Sequence, residues 1–307
     1  MINRVQRLVI VLVALGLSLV TATAQETKSL THEGFDRAYR VYVPDALDPD
    51  TPAPLVIALH GYGMTGAEFA EIATYDQLAE QYGAIVVYPS AASEYWDYHA
   101  DTPIVPGETY TYDDTLIPAL IDAVSASYAI DETRISLVGF NIGGLMALHA
   151  LCNSDRTYQS VVIINATLTD RLAYDCVDLA EPTPLMYVLG TAGGVFPTSG
   201  VASAAENIVN IRLSLAQTLN YFRTLYQCGE RDSAILSTDD SPYQVVGDVY
   251  FACQRGGFFI LYLLIEYGDT YPLEPTIALD TGAIGITDDA IWEFLMTQSA
   301  TSSTPAD

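Results

Sequence analysis

The stretch ISLVGFNIGG, residues 135–144, decides the fold of this chain. It begins with a short, largely apolar run, which is typical of a strand buried on both faces of a sheet. Gly139 and Gly143 flank the turn that follows, and glycine relieves crowding where a strand and a helix cross closely. Residues 143–152 then have the composition of a helix. The stretch therefore predicts a strand, a sharp turn and a helix in direct succession.

The same alternation of strand and helix continues along the rest of the chain. The predicted strands are 39–43, 55–59, 84–88, 135–138, 161–164, 185–189 and 258–265. The predicted helices are 66–82, 114–128, 143–152, 204–226 and 288–296. Residues 229–257 are polar and turn-rich, and they predict an excursion beside the sheet. The repeating βα units predict an α/β fold with a mostly parallel, doubly wound sheet and helices on both faces.

The two ends of the chain differ in composition from this pattern. Residues 1–24 contain a basic start, a thirteen-residue apolar run and a small-residue site ending at Ala24, which is typical of a secretory signal peptide. The run is shorter than the ~20 residues that a membrane span needs, so no stable membrane anchor is expected. We therefore predict a secreted protein with a signal peptide over 1–24, one domain over 25–298 and a flexible tail over 299–307.

Cysteine content agrees with export. An even number of cysteines in an exported chain predicts disulfides, here among Cys152, Cys176, Cys228 and Cys253. Sequence order favours the pairs Cys152–Cys176 and Cys228–Cys253, although four cysteines allow three pairings. Their spacing does not suit a metal site, and neither a metal nor a cofactor is expected.

Charge excludes one class of partner. The formal net charge is −26, with 38 acidic and 12 basic residues. A field of this sign repels nucleic acids and anionic membranes, so no nucleic-acid partner is expected. The sequence does not identify a protein partner.

Two glycine-containing motifs follow predicted strands. HGYG, from His60 to Gly63, comes directly after the strand 55–59, where close backbone approach to a ligand needs small residues. GFNIG, at residues 139–143, matches the G-x-S-x-G turn that presents a nucleophilic serine between a strand and a helix. In this chain the middle residue is Asn141.

The ordered set of motifs resembles the secreted polyhydroxybutyrate-depolymerase-like and feruloyl-esterase-like α/β-hydrolases. The segments that carry the resemblance are RVYVP (40–44), PLVIALHGYG (54–63), YGAIVVYP (82–89), YAIDETRISLVGF (128–140), PLMYVLGTA (184–192) and IWEF (291–294). The resemblance implies the α/β-hydrolase fold and a carboxylic-ester hydrolase ancestry. It also implies a Ser–Asp–His triad, with the nucleophile at 141, the acid at 193 and the base at 269.

All three of these positions are substituted, by Asn141, Gly193 and Asp269. An amide nitrogen is a poor nucleophile, glycine has no side chain to orient a base, and a carboxylate replaces the imidazole. The pattern predicts a catalytically inactive homologue that retains a pocket for an ester, phenolic or saccharide ligand. The expected pocket and oxyanion-hole residues are His60, Gly61, Tyr62, Trp96, Ile142 and Tyr271.

Two other hypotheses remain open. The chain could be an active carboxylesterase with displaced catalytic groups, in which case His99 is the candidate base. It could also be a surface interaction protein with no small-molecule ligand. Asn141 itself has a structural interpretation, because asparagine tolerates positive φ, and a ligand-binding interpretation through its amide.

Overall fold

The computed structural model describes residues 25–98, 109–179, 182–194, 198–200, 212–235, 244–251, 253–254, 257–271 and 288–298. The predicted signal peptide and the predicted tail lie outside these residues. None of the helices in the described ranges is both long and apolar enough to cross a membrane.

Strands and helices alternate through most of the described chain. The strands are β1 (Gln25–His32), β2 (Phe35–Tyr42), β3 (Ala53–Leu59), β4 (Ile85–Pro89), β5 (Ile130–Phe140), β6 (Ser160–Ile164), β7 (Leu185–Gly190), β8 (Glu230–Ile235), β9 (Val245–Phe251) and β10 (Phe259–Leu264). The helices are α1 (Gly66–Ile72), α2 (Tyr75–Tyr82), α3 (Leu116–Ser125), α4 (Ile142–Asn153), α5 (Asp170–Asp175), α6 (Leu215–Leu225) and α7 (Asp288–Thr297).

Within the described residues these strands form one sheet in the order β1-β2-β4-β3-β5-β6-β7-β10-β9-β8. From β4 to β10 in this order, neighbouring strands are parallel. The outer pairs on both sides are antiparallel. Because parallel strands end at the same edge of a sheet, the loops after β3, β5, β6, β7 and β10 come together at one edge.

Two hydrophobic layers cover the two faces of the sheet. Successive strand residues point to opposite faces, so Leu55 and Ile57 of β3 face one layer while Val56 and Ala58 face the other. Side chains from α3, α4 and α6 belong to the first layer, and those from α1, α2 and α7 belong to the second. Helices on both faces of a mostly parallel sheet confirm the predicted α/β class.

The predicted excursion at 229–257 was wrong. Its described residues form β8 and β9, which extend the sheet as an antiparallel hairpin beyond β10. The sequence of strand β8, ERDSAI, shows little alternation of apolar and polar residues, and residues 231–235 are exposed. A solvated edge strand of this kind lacks the apolar pattern by which buried strands are recognised.

Two of the predicted helices have different bounds in the structure. The prediction at 66–82 is divided into α1 and α2, and the carboxylate of Asp288 accepts hydrogen bonds from the backbone N–H and hydroxyl of Thr74 at the break. The prediction at 204–226 corresponds over its described part, 212–226, to α6, which begins after Ser214, and residues 204–211 lie outside the described residues. Ser214 and Gln217 form a capping box that satisfies backbone N–H groups at this end of the helix.

Both cysteine pairs follow the sequence order. Cys152 is bonded to Cys176, and Cys228 is bonded to Cys253, with sequence separations of 24 and 25 residues. The first bond joins the end of α4 to the residue after α5. The second joins the turn after α6 to the residues that follow β9.

Removing either bond should destabilise the domain. Closing a loop of this length restricts the unfolded chain by about 3 kcal/mol. We expect the variants Cys152→Ala/Cys176→Ala and Cys228→Ala/Cys253→Ala each to lose about that much unfolding free energy in urea titrations. A reducing agent should lower the Tm of the wild type but leave the Tm of the quadruple variant unchanged. A wild-type Tm that does not respond to complete reduction would contradict the prediction.

Candidate functional site

The carboxyl edge of the parallel strands brings the three predicted triad positions together with the HGYG loop. Asn141 follows β5, Gly193 lies three residues beyond β7, and Asp269 follows β10. The loop that starts at His60 follows β3, next to β5 in the sheet.

Asn141 has the strained backbone of a strand-to-helix elbow. Its φ is 55° and its ψ is −121°. The backbone is held on both sides, because the N–H of Asn141 donates to Ile164 at 2.8 Å and its carbonyl accepts from Gly144 at 2.9 Å. Positive φ is uncommon outside glycine, and a ψ of −121° places Asn141 outside the left-handed helical region that asparagine tolerates, so its backbone is strained.

Glycine is required beside the elbow because two backbone segments touch there. A β-carbon at Gly143 would collide with the carbonyl oxygens of Leu59 and His60, and one at Gly139 would collide with the carbonyl of Gly143. The first turn of α4 therefore lies directly against the loop after β3. Gly61 completes the contact, because a β-carbon added there would be 3.3 Å from the β-carbon of Asn141.

The side chain of Asn141 turns back onto the backbone that follows it. Its Oδ1 accepts a hydrogen bond from the N–H of Ile142 at 2.8 Å. The amide orientation follows from this contact, because the Nδ2 group would place a donor against a donor. In the G-x-S-x-G turn this N–H, from the residue after the nucleophile, helps to stabilise an oxyanion.

His60 supports the loop from inside the protein. Its ring is fully buried, and its Nε2 accepts a hydrogen bond from the N–H of Ala91 at 3.0 Å. The proton must then be on Nδ1, which lies 2.8 Å from the carbonyl of Gly61 and donates to it. Burial lowers the pKa of His60 to about 4, although the hydrogen bond to Gly61 opposes this shift. His60 is thus a neutral side chain that stabilises the loop through hydrogen bonds to its backbone.

Trp96 and Tyr62 occupy opposite surfaces of this loop. Trp96 is fully buried and packs against the ring of His60 in a tilted arrangement, with 4.6 Å between the ring centroids. It donates its Nε1–H to the His60 carbonyl at 3.0 Å. Tyr62 is 60% exposed, and its hydroxyl lies 3.2 Å from the carboxylate of Glu94. Of these two predicted pocket residues, Tyr62 offers the accessible aromatic surface.

The predicted acid and base positions, 193 and 269, are in direct contact. A β-carbon on Gly193 would collide with Oδ1 of Asp269. Oδ2 of Asp269 accepts a hydrogen bond of 2.6 Å from the N–H of Gly194. The Asp269 carboxylate therefore fills the space that a side chain at position 193 would need.

Two residues near this contact were not predicted from the sequence. Asn165, directly after β6, accepts from the N–H of Gly190 at 2.9 Å through Oδ1, and its Nδ2 is 3.4 Å from the carbonyl of Gly268. It therefore ties the ends of β6 and β7 to the segment that carries Asp269. The one sequence feature that could have indicated Asn165 is its position directly after a buried strand. Arg212 is the second. Its pKa is lowered, mainly because the guanidinium is partly buried, and the negative charge of Asp269 opposes this shift.

Tyr271 packs behind the elbow. Its ring centroid lies 5.3 Å from that of Phe140 and 5.2 Å from that of Phe69. Its hydroxyl donates to the carboxylate of Asp288 at 2.5 Å, which ties it to the start of α7. Burial raises the pKa of Tyr271 well above its usual range.

The candidate displaced base, His99, lies outside the described residues. The chain on both sides of it is firmly held. The N–H of Asp97 donates to the Asp113 carboxylate at 2.7 Å, and the N–H of Asp113 donates to the Asp97 carbonyl at 3.0 Å. Arg37, itself buried, forms an ion pair of 2.5 Å with Asp113.

Comparison with known proteins gives the family. A family model described as a putative esterase matches residues 32–209, which is more than half of the chain. The chain belongs to this esterase family. The matched region contains the HGYG loop, the elbow and position 193, whereas Asp269 lies beyond it.

Curated relatives of this esterase-family chain are similar over part of its length. It is 25% identical over 177 residues to a bifunctional acetylxylan esterase/xylanase from Neocallimastix patriciarum, covering 57% of this chain and 24% of the relative. It is 31% identical over 140 residues to feruloyl esterase B from Neurospora crassa, covering 43% of this chain and 46% of the relative. The chain thus spans less than half the length of either.

Solved structures agree on the fold. The acetyl xylan esterase from Aspergillus awamori matches with a TM-score of 0.59 at 13% identity, covering 81% of this chain and 96% of that one. An S-formylglutathione hydrolase from Agrobacterium tumefaciens matches with a TM-score of 0.52 at 18% identity, covering 80% and 88%. At such identities the similarity concerns the fold, and the esterase-family chain has the α/β-hydrolase fold.

The buried His60 should make stability depend on pH. Its folded pKa of about 4 is below its ordinary value of 6.5, so the unfolded chain binds its proton first as the pH falls. We expect His60 to cost the wild type up to about 3 kcal/mol of unfolding free energy between about pH 6.5 and pH 4. Urea titrations of wild type and His60→Gln across this range isolate the effect, because other titrating groups are shared. Parallel stability curves for the two proteins would contradict it.

The contact at Gly193 should produce strong coupling between two substitutions. Gly193→Asp alone forces a second carboxylate into the space of the Asp269 carboxylate, and we expect a loss of about 2–3 kcal/mol. In Gly193→Asp/Asp269→His the imidazole can pair with the new carboxylate, so part of the loss should be recovered. Gly194→Ala is the control, because a β-carbon there meets nothing within 4 Å. Additive effects in the double variant, measured by urea unfolding, would show that the two positions do not touch.

Proposed function

We propose that this esterase-family chain works outside the cell and binds an ester, phenolic or saccharide ligand at its hydrolase site without hydrolysing it. The observation that carries the proposal is the hydrogen bond from the N–H of Ile142 to Oδ1 of Asn141. It occupies a donor on which ester hydrolysis at an elbow of this type depends.

Loss of the nucleophile is the first obstacle to hydrolysis. Asn141 offers an amide whose lone pair is delocalised, and Asp269 offers a carboxylate where an imidazole would take the proton. In subtilisin, loss of the triad nucleophile or base costs on the order of 10⁶ in turnover. The residual rate in that enzyme comes from the oxyanion hole and from binding.

Occupation of the oxyanion hole is the second obstacle. Removal of a single oxyanion-hole donor costs on the order of 10²–10³ in turnover. Here the donor is present, but the Asn141 side chain already satisfies it. An enzyme accelerates a reaction only by interactions that are stronger in the transition state than in the ground state. A site that gives its donor to its own side chain lacks that transition-state interaction, so any ligand that it binds is expected to stay intact.

The ligand class follows from the family and from the accessible groups. Relatives are named as feruloyl and acetylxylan esterases, which points to phenolic and acetylated saccharide esters as candidate ligands. The exposed ring of Tyr62 provides an aromatic surface with a polar tip, which suits either kind of ligand. The two disulfides support the proposal that the protein is exported.

Hydrolysis of p-nitrophenyl acetate and methyl ferulate tests the catalytic part of the proposal. We expect the wild type to stay at background, and Asn141→Ser alone to remain close to it for lack of a base. The variant Asn141→Ser/Gly193→Asp/Asp269→His should exceed the wild type on the order of 10²-fold or more, because it frees the Ile142 N–H and restores three chemical groups. Wild-type turnover that His99→Ala abolishes would overturn the proposal in favour of a displaced base.

Ligand binding needs a separate measurement. Methyl ferulate and acetylated xylo-oligosaccharides are titrated into ¹⁵N-labelled wild type, and shifts of the Ile142, Tyr62 and Gly194 amides are followed. Shifts confined to these loops, with a rise in Tm, are expected for a ligand that binds the folded state. If neither compound shifts these amides, the proposal of a retained ligand pocket is wrong. The hypothesis of a surface interaction protein is then favoured.

A further inference from the structure

A cleft far from the hydrolase site is lined by two arginines. It has a volume of about 360 Å³ and lies between α6 and the antiparallel strands β8 and β9. Leu219, Asn220 and Arg223 line it from the helix, Arg231 and Tyr250 line it from the strands, and Gly229 lines it from the turn before β8. We propose that this cleft is a second binding site, which takes a carboxylate carried on a small apolar body.

Strand register places the cleft at the opposite edge of the sheet from Asn141. Arg231 pairs with Tyr250, Tyr250 with Phe259, and Phe259 with Leu185, which is the first residue of β7. The cleft therefore lies where the parallel strands begin, whereas the elbow lies where they end. A ligand here would not enter the hydrolase site, so the inference does not rest on the proposed function.

The charge of the cleft is opposite to that of the protein. The chain has 38 acidic and 12 basic residues, yet none of the described residues that line the cleft is Asp or Glu. Seven basic residues of the described chain form ion pairs with carboxylates within 4.0 Å. Arg223 has no such ion pair among the described residues, and its guanidinium instead donates to the side-chain oxygen of Asn220 at 3.2 Å.

The second arginine, Arg231, has a distant carboxylate partner and an aromatic ring beside it, and its side chain is 56% exposed. The Nη1 atom of Arg231 is 4.0 Å from the carboxylate of Asp248, the longest of the described ion pairs. Its guanidinium carbon lies 6.0 Å from the centre of the Tyr250 ring, which is itself stacked on Phe259 at 4.1 Å. A guanidinium oriented by a fixed ring keeps N–H groups free to form a fork with a carboxylate.

The other residues that line the cleft indicate the size and polarity of the part of the ligand that carries the carboxylate. Cys228 contributes to the lining and is bonded to Cys253, which fixes the floor. Ala216 and Leu219 give α6 an apolar wall. A volume of this size is at the lower end for small-molecule sites. An aromatic or short aliphatic acid, with its carboxylate between the arginines and its body on the helix, fits this chemistry.

Isothermal titration with three compounds tests the inference. Cinnamate supplies the carboxylate and the apolar body, cinnamyl alcohol supplies the same body without charge, and inorganic phosphate supplies charge without the body. We expect cinnamate to bind the wild type more tightly than either of the others. Arg223→Gln and Arg231→Gln should each weaken cinnamate binding about tenfold, since each removes a charge-assisted hydrogen bond.

The matched control is Arg134→Gln, which removes the same charge from an exposed ion pair with Asp131. It should leave cinnamate binding unchanged. An equal loss of cinnamate affinity in this control would attribute binding to the overall electrostatic field of the protein and overturn the inference. Equal affinity for cinnamyl alcohol, or no binding of cinnamate, would also overturn it. Cinnamate-induced amide shifts at Ile142 rather than at Gly229 and Arg231 would place binding at the hydrolase site and also overturn it.

Discussion

The close approach of two backbone segments beside Asn141 is the contact on which the rest of the site depends. The carbonyl oxygens of Leu59 and His60 lie where a β-carbon at position 143 would have to be. This contact fixes the loop after β3 against the first turn of α4, and it requires glycine whether or not the site is catalytic. The positive φ of Asn141 follows from the same geometry. The frame of the strand–turn–helix elbow is thus held by a packing constraint that does not depend on the chemistry of the residue at position 141.

The neutral interior of the loop belongs to the same constraint. Trp96 and His60 support the loop with hydrogen bonds to backbone groups, and both rings are fully buried. A charged imidazole would be costly at this position because it has been removed from water. The histidine of the HGYG motif is therefore explained by support of the backbone. Accessible aromatic surface on this loop is provided by Tyr62, which is 60% exposed.

Much of the fold could be predicted, because strands buried on both faces leave continuous apolar runs such as 55–59 and 161–164. The edge strands β1 and β8 were missed, since QETKSLTH and ERDSAI face solvent and lack that pattern. At the site, the motif frame located Asn141, Gly193 and Asp269. The contact between the last two could not be predicted, because it depends on side-chain positions across 76 residues of sequence. Asn165 was missed because a single asparagine after a strand has no distinguishing spacing.

The carboxylate of Asp269 also limits the order in which this site can change. Because it fills the space beside position 193, an aspartate at 193 and the present aspartate at 269 exclude each other. A first step that adds the aspartate at 193 gives an intermediate that carries two carboxylates in one volume. A step at position 269 has to come first, because it clears the space that a side chain at 193 needs. The effect of each substitution therefore depends on the residue at the other position, which is epistasis with a direct physical cause.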